Sequence, residues 1–287
     1  MKNMSPLRYP GGKTILYNYM SAVIDENNLN RYTYVELFAG GAGLAVSLLL
    51  SGKVRNIVIN DLDYCIYSFW YSVINHTDEL CRMINDTDIT VEQWEIQKDI
   101  YSNHDNHSLL EVGFATLFLN RTNRSGILNG GIIGGKNQTG TYNIDCRFNK
   151  QDIVRRIRNI ADKRDHISLY NMDAGVFLQS QKEPLRKWCF FYLDPPYVVK
   201  GGNLYKNAFK EEDHRQLSKV VGNTLHHRKW IITYDNDPLI ESLYNKYTME
   251  IYQLSYAAHE KRKGSECMIF SDSVTIPQKE IIQATRR

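Results

Sequence analysis

Between Thr33 and Asp61 the chain reads TYVELFAGGAGLAVSLLLSGKVRNIVIND, two strand-length runs separated by a glycine turn and an apolar helical stretch. That order specifies a strand–helix–strand unit, whose two strands lie parallel in one sheet. Gly40, Gly41 and Gly43 let the backbone turn sharply after the first strand and bring the N–H groups of a helix start close to a ligand. About twenty residues after the turn, the second strand ends in Asp61, where a carboxylate is placed to accept bonds from ribose hydroxyls. A nucleotide or nucleoside site is therefore expected. The G-x-G-x-x-G order is not met, since Val46 follows Gly41-Ala42-Gly43-Leu44-Ala45. YPGGKT keeps only the end of a G-x-x-x-x-G-K-[ST] phosphate loop, which disfavours ATP hydrolysis. A glycine turn with no binding role is the alternative left open.

Strand signals resume at ISLYN (Ile167–Asn171), CFFYLD (Cys189–Asp194), KWIITYD (Lys229–Asp235), TMEIYQLSY (Thr248–Tyr256) and CMIFS (Cys267–Ser271). With TYVELFA and NIVIND they predict an α/β fold, a mostly parallel sheet with helices on both faces. The alternation fails between Asp61 and Ile167, for about a hundred residues, which is too long for a structureless loop and points to an inserted domain. Residues 65–164 are assigned to it, mainly helical, and 1–64 with 165–287 to the sheet domain. Within the insert, Ile153, Ile157 and Ile160 recur at helical spacing on one face, with Arg155, Arg156 and Arg158 pointing elsewhere.

Charge is concentrated in this insert. Segment Arg121–Arg164 carries ten Lys or Arg against three Asp, while the whole chain is only +3. A basic, Gly/Asn-rich hairpin beside an arginine helix attracts a phosphate backbone; a solvated basic face is the bland alternative. With 43% apolar and 23% charged residues the chain suits an ordinary globular core. No apolar run approaches the ~20 residues of a membrane helix, and MKNMSPLRYPGGK lacks a secretory core. The five scattered cysteines read as reduced thiols, so a cytoplasmic protein is expected. Cys189 is read as core packing. The histidines, including His214, are read as surface or structural, and no metal constellation appears.

FFYLDPPYVVKGG (Phe190–Gly202) ends a buried strand in a carboxylate, two prolines and a tyrosine. An exocyclic amine on a nucleobase is a poor nucleophile because its lone pair is conjugated into the ring. Two acceptors, the Asp194 carboxylate and the Pro195 carbonyl, would favour a pyramidal nitrogen with its lone pair aimed at an electrophile. Pro195 and Pro196 remove competing N–H donors and fix φ near −65°, and Tyr197 offers a face for the base. Such a base must be flipped out of a duplex. Upstream, LRYPGGK supplies Arg8, Tyr9 and Lys13 around a tight turn, or is simply a basic loop.

Together these motifs resemble the Dam-like (D12 class) adenine-specific DNA N6-methyltransferases. RYPGGK resembles the family's N-terminal cofactor motif, ELFAGGAG its glycine loop, IND its ribose-binding acid, NMDAGVF an acid near the cofactor's adenine and DPPY its catalytic tetrad. NLYKNAF, EEDHRQL, WIITYDN and KGSECMIFS resemble its later segments. The resemblance implies a seven-stranded methyltransferase-like (Rossmann-like) sheet with a DNA-recognition insert, S-adenosyl-L-methionine as cofactor and double-stranded DNA as partner. It implies catalysis by Asp194, Pro195, Pro196 and Tyr197. Cofactor contacts fall on Tyr9, Lys13, Phe38, Gly40, Gly41, Gly43, Asp61, Asp173 and Asp194. DNA contacts fall on Arg8, Arg121, Arg124, Asn129 and Lys136, since arginine and asparagine suit guanine and adenine edges. The insert differs in length and detail from GATC-specific members.

Cytosine N4 or RNA adenine methylation shares this tetrad chemistry, although the leading Asp and the basic insert favour duplex DNA. A DNA-binding regulator on an inactive fold would need neither Asp194 nor Tyr197. Nothing in the chain supplies a hydride-transfer site. One insert per active site is sufficient for a monomer.

Overall fold

A computed structural model describes residues 4–9, 11–180, 188–198, 209–256 and 262–282. Seven strands form one sheet: β1 (Thr33–Glu36), β2 (Asn56–Asn60), β3 (Ile167–Tyr170), β4 (Cys189–Leu193), β5 (Lys229–Asp235), β6 (Thr248–Tyr256) and β7 (Arg262–Phe270). Their order is β3-β2-β1-β4-β5-β7-β6, and β7 runs antiparallel to both neighbours. The mostly parallel seven-stranded sheet expected from the sequence is therefore present. β1 ends at Glu36, short of the expected Ala39; beyond it the Leu37 N–H still bonds the Tyr192 carbonyl of β4, while the Asn60 side chain donates to the Leu37 carbonyl and the Asn60 carbonyl accepts the Ala39 N–H. β7 starts at Arg262, before the expected Cys267; its polar first half completes an antiparallel hairpin with β6, which an apolar run does not reveal.

Side chains alternate across the sheet with the period of two of a strand. Tyr34, Phe190, Tyr192, Ile231 and Met268 face one core; Val35, Phe191, Leu193, Ile232 and Ile269 face the other. The second face is covered by α8 (Ala174–Ser180), α9 (Glu211–Thr224) and α10 (Pro238–Leu243) through Phe177, Val221 and Ile240. The first face takes α1 (Tyr17–Glu26), α2 (Gly43–Leu50) and the five helices of the insert: α3 (Tyr64–Asn75), α4 (Thr77–Asp86), α5 (Val91–Ser102), α6 (Leu109–Thr122) and α7 (Lys150–Ala161).

α6 is buried from Val112 to Thr122, as an all-round apolar helix must be. Its start is fixed by a reciprocal cap between Ser108 and Glu111. One continuous core runs from Ile57 and Tyr192 in the sheet through Phe69 and Trp70 to Phe118 and Ile157. Residues 65–164 thus begin with α3, where a second domain was expected, but share a core with the sheet. Ile153, Ile157 and Ile160 form the buried stripe of α7. Arg156 does not point away from it: it bonds Asp152 and the Ser5 carbonyl. The expected Gly/Asn-rich hairpin is reduced, among the described residues, to one antiparallel bridge between Asn123 and Ile132.

The connection after β1 runs outward to β2 and β3, and the chain returns to place β4 on the other side of β1. The crevice at the carboxyl ends of β1 and β4 is the topological switch point, where open α/β sheets bind ligands.

Candidate active site

At the switch point a cavity opens between the glycine turn, the 11–14 segment, the end of β4 and the insert. The turn is held from three directions. Asp61 accepts the Gly40 N–H at 2.7 Å and the Asp63 N–H at 2.9 Å, and Trp70 Nε1 donates to the Gly40 carbonyl at 2.9 Å. Tyr9 lies directly on the turn. A Cβ on Gly40, which sits at φ +47°, would come within 2.6 Å of its ring, and one on Gly41 within 2.7 Å of its Cβ. The glycines are therefore required by packing of the N-terminal segment as well as by the turn.

Asp194 is gripped at both oxygens. Oδ2 pairs with Lys13 Nζ at 2.8 Å, and Oδ1 accepts from Thr233 Oγ1 at 2.8 Å. Lys13 also donates to the Gly11 carbonyl and sits 5.1 Å from the centre of the Tyr197 ring. That ring rests against Tyr234, 6.4 Å away, and Tyr234 in turn bonds the buried His214 at 3.0 Å. His214 is thus structural, and Cys189 is packed in the core. Phe38 meets Phe209 edge-on at 5.8 Å, giving the cavity an apolar wall. Of NLYKNAF, residues 203–208 lie outside the described residues. Pro196 lines the cavity, whereas Pro195 is buried behind it.

Glu36, Asp61, Asp63 and Asp194 line the cavity against Lys13. Such a wall repels a pyrophosphate and suits a nucleoside carrying positive charge. Glu36 was not singled out by the sequence motifs. Its Oε1 accepts from Tyr34 at 3.2 Å and from the Ala45 N–H of α2 at 3.0 Å. Burial pushes its carboxyl up to about 8, against these hydrogen bonds, and burial likewise raises Asp61 to about 6. Both groups bind protons in the folded chain at pH values where the unfolded chain has lost them. The stability this adds is complete below the unfolded carboxylate range and is lost as pH rises through the folded values. Melting midpoints of the ligand-free protein are expected to fall between about pH 5 and 9. Glu36→Gln should flatten the upper part of that fall; an unchanged slope would remove Glu36 as its source.

Three comparisons bear on this site. The sequence matches the family model "D12 class N6 adenine-specific DNA methyltransferase" over residues 9–259. The chain belongs to this family. It is an adenine-specific DNA methyltransferase, acting on DNA with a methyl donor of the S-adenosylmethionine type. No curated protein matches the sequence. Among solved structures, an rRNA methyltransferase, aviRa from Streptomyces viridochromogenes, aligns at 9% identity and a TM-score of 0.35, covering 92% of this chain and 91% of its own.

In this methyltransferase Tyr9, Lys13, Phe38, Gly41, Gly43, Asp61 and Asp194 meet around the cavity, and Gly40 forms the turn beneath Tyr9. Asp173 departs from the expectation. It lies outside the cavity lining, where its carboxylate accepts the Val176 N–H at the start of α8.

The expected DNA-contacting residues also separate. Arg124 and Asn129 are exposed on the insert, and Asn129 reaches the cavity wall. Lys136 is exposed and pairs with Glu95 at 2.7 Å. Arg121 is instead buried, 9% exposed, and donates to the carbonyls of Pro6 and Arg147, so it ties the N-terminal segment to the insert and is not available to a phosphate. Arg8 is half-buried between these units. Its backbone is held by Asn120, which accepts the Arg8 N–H at 2.7 Å and donates to the Arg8 and Gly126 carbonyls at 2.9 Å. Asn120 escaped the motifs because its partner lies far away in sequence. Nothing local set it apart, since Glu111, Thr116, Arg121 and Thr122 are also polar residues of α6. Tyr101 of α5 and Gly126–Asn129 complete the cavity, so the insert itself forms one wall of the site.

Proposed function

We propose that the protein transfers the methyl group of S-adenosylmethionine to N6 of an adenine flipped out of duplex DNA at a specific sequence. The observation that carries this reading is the Asp194 carboxylate. It is fixed by Lys13 and Thr233 at the end of β4, beside Tyr197 and over an acid-lined cavity. The cavity's chemistry fits the donor: Phe38 and Phe209 offer apolar faces, Asp61 a carboxylate for ribose hydroxyls, and the net-negative wall favours a cation. When bound, S-adenosylmethionine supplies an electrophilic methyl group on a sulfonium. Asp194 and the Pro195 carbonyl take hydrogen bonds from the amine and draw its lone pair out of conjugation. The Tyr197 face holds the base, a contact worth about 1–3 kcal/mol in single-strand binders. No enzyme nucleophile is needed. Residues 65–164 form the recognition unit, with Arg8, Arg124, Asn129 and Lys136 as contacts to duplex DNA. The same site serves a methylase paired with a restriction endonuclease and an orphan or phage-encoded one.

Labelled methyl from S-adenosylmethionine is expected to enter duplex DNA, and digestion of the product to yield N6-methyladenine. Label in cytosine, or in RNA alone, would overturn the reading.

A further inference from the structure

β5 contributes a residue beside the carboxylate, Thr233, to which the sequence reading gave no role although it lies within WIITYDN. In the register of the sheet Leu193 of β4 lies against Ile232 of β5, so Asp194 and Thr233 come next along the two strands. Tyr192 and Asp194 share one face of β4, and Ile231 and Thr233 share the same face of β5, because side chains alternate. Thr233 Oγ1 lies 2.8 Å from Asp194 Oδ1, and Tyr192 Oη lies 2.9 Å from Thr233 Oγ1. Thr233 is fully buried and Tyr192 nearly so. A hydroxyl has one proton and a carboxylate only accepts. Thr233 therefore gives its proton to Asp194 and takes its other bond from Tyr192. The direction of the chain is fixed: Tyr192 to Thr233 to Asp194.

Such a chain has work to do. The terminal torsion of an aspartate is broad and sets no orientation by itself. Partners must set it. Lys13 holds Oδ2 from the N-terminal segment; Oδ1 takes a short bond from Thr233 on the sheet, 2.8 Å, and a longer one from the Tyr197 hydroxyl, 3.4 Å. We propose that Thr233, itself oriented by Tyr192, is a positioning residue that fixes the rotation of the Asp194 carboxylate so that its remaining acceptor sites face the target amine. Burial, and then the nearby Asp194 carboxylate, hold the Tyr192 phenol well above its ordinary range, so it stays a donor at every working pH.

The proposal rests on Asp194 as the amine's acceptor, and the experiment separates the two. Methyl transfer to duplex DNA is measured for the full chain, with kcat and both KM values, in Thr233→Val, Thr233→Ser, Tyr192→Phe, the Thr233→Val/Tyr192→Phe pair and Asp194→Asn. Misdirecting a reacting group by a fraction of its reach lowers turnover about 10- to 100-fold. That loss in kcat is expected for Thr233→Val, with KM for S-adenosylmethionine and for DNA within about twofold. Thr233→Ser, which keeps the hydroxyl, should recover to within about threefold of the parent. Tyr192→Phe should lose less than Thr233→Val, and the double variant should be no slower than Thr233→Val alone, because Tyr192 acts through Thr233. Wild-type kcat in Thr233→Val with an inactive Asp194→Asn would overturn the positioning role alone. Wild-type kcat in Asp194→Asn would overturn the reading of the site beneath it. Equal losses in the valine and serine variants would show packing, not the hydroxyl, and would also overturn the proposal.

Discussion

Asp194→Ala is expected to lower methyl transfer at least ~10³-fold while leaving nonspecific duplex binding within about twofold. Loss of a preorganised hydrogen-bonding group at a reacting centre costs ~10²–10³ in turnover, and the carboxylate proposed to serve the amine also anchors Lys13. Binding should persist if, as proposed, duplex DNA is held by the insert, where Arg124 and Lys136 are exposed. The substitution also removes the ion pair with the buried Lys13, so a lower melting midpoint is expected alongside the kinetic loss. Labelled-methyl transfer and fluorescence anisotropy on the same duplex measure the two quantities. If folded Asp194→Ala loses both together, the division of labour between sheet and insert is wrong.

The second large effect is expected at Gly126. It sits at φ +76°, and a Cβ there would lie 2.1 Å from the Arg8 carbonyl oxygen and 3.2 Å from Arg8 Cβ. Backbone oxygen cannot swing aside as a side chain does, so Gly126→Ala must push the N-terminal segment away from the insert. That segment carries Tyr9 onto the glycine turn and Lys13 onto Asp194. A fall in kcat/KM of about 100-fold is expected, by the same sensitivity to misplacement. Gly52 provides the control: its φ is +72°, yet a Cβ there meets nothing within 4 Å. Gly52→Ala should therefore show only the backbone penalty of about 1–2 kcal/mol, as a lower melting midpoint with near-normal kcat/KM. Equal activity in the two variants would show that the contact with Arg8 does not position the site.

The sheet was legible because a parallel sheet is covered on both faces, and its strands then read as unbroken apolar runs. β5 was bounded correctly at Lys229–Asp235 for this reason, while Thr233 inside it, which bonds Asp194, was given no role by the sequence. The glycine turn, Asp61 and Asp194 were legible because each belongs to a local motif at a strand end. What remained hidden is held by contacts distant in sequence. Asp61 was read as a ribose acceptor, yet it also ties down the turn through Gly40. Arg121 looked like one more cation in a basic segment. Its burial follows from α6 being enclosed on every side, which composition does not report. Asp173 was placed by motif similarity, but its nearest donor is the start of its own helix, a common local use of aspartate before a helix.

The continuous core that joins sheet and insert also limits where the chain can be cut and rejoined. Moving residues 65–164 as a block would strip Ile57 and Tyr192 of their cover and sever Phe69 and Trp70 from the sheet. The 127–143 stretch is different, because most of it is on the surface and few of its residues enter that core. Grafts confined to that stretch keep the chassis intact. If the insert reads the target, as proposed, substitutions that alter the target and spare the fold are expected in this short surface patch, not in a whole-block exchange.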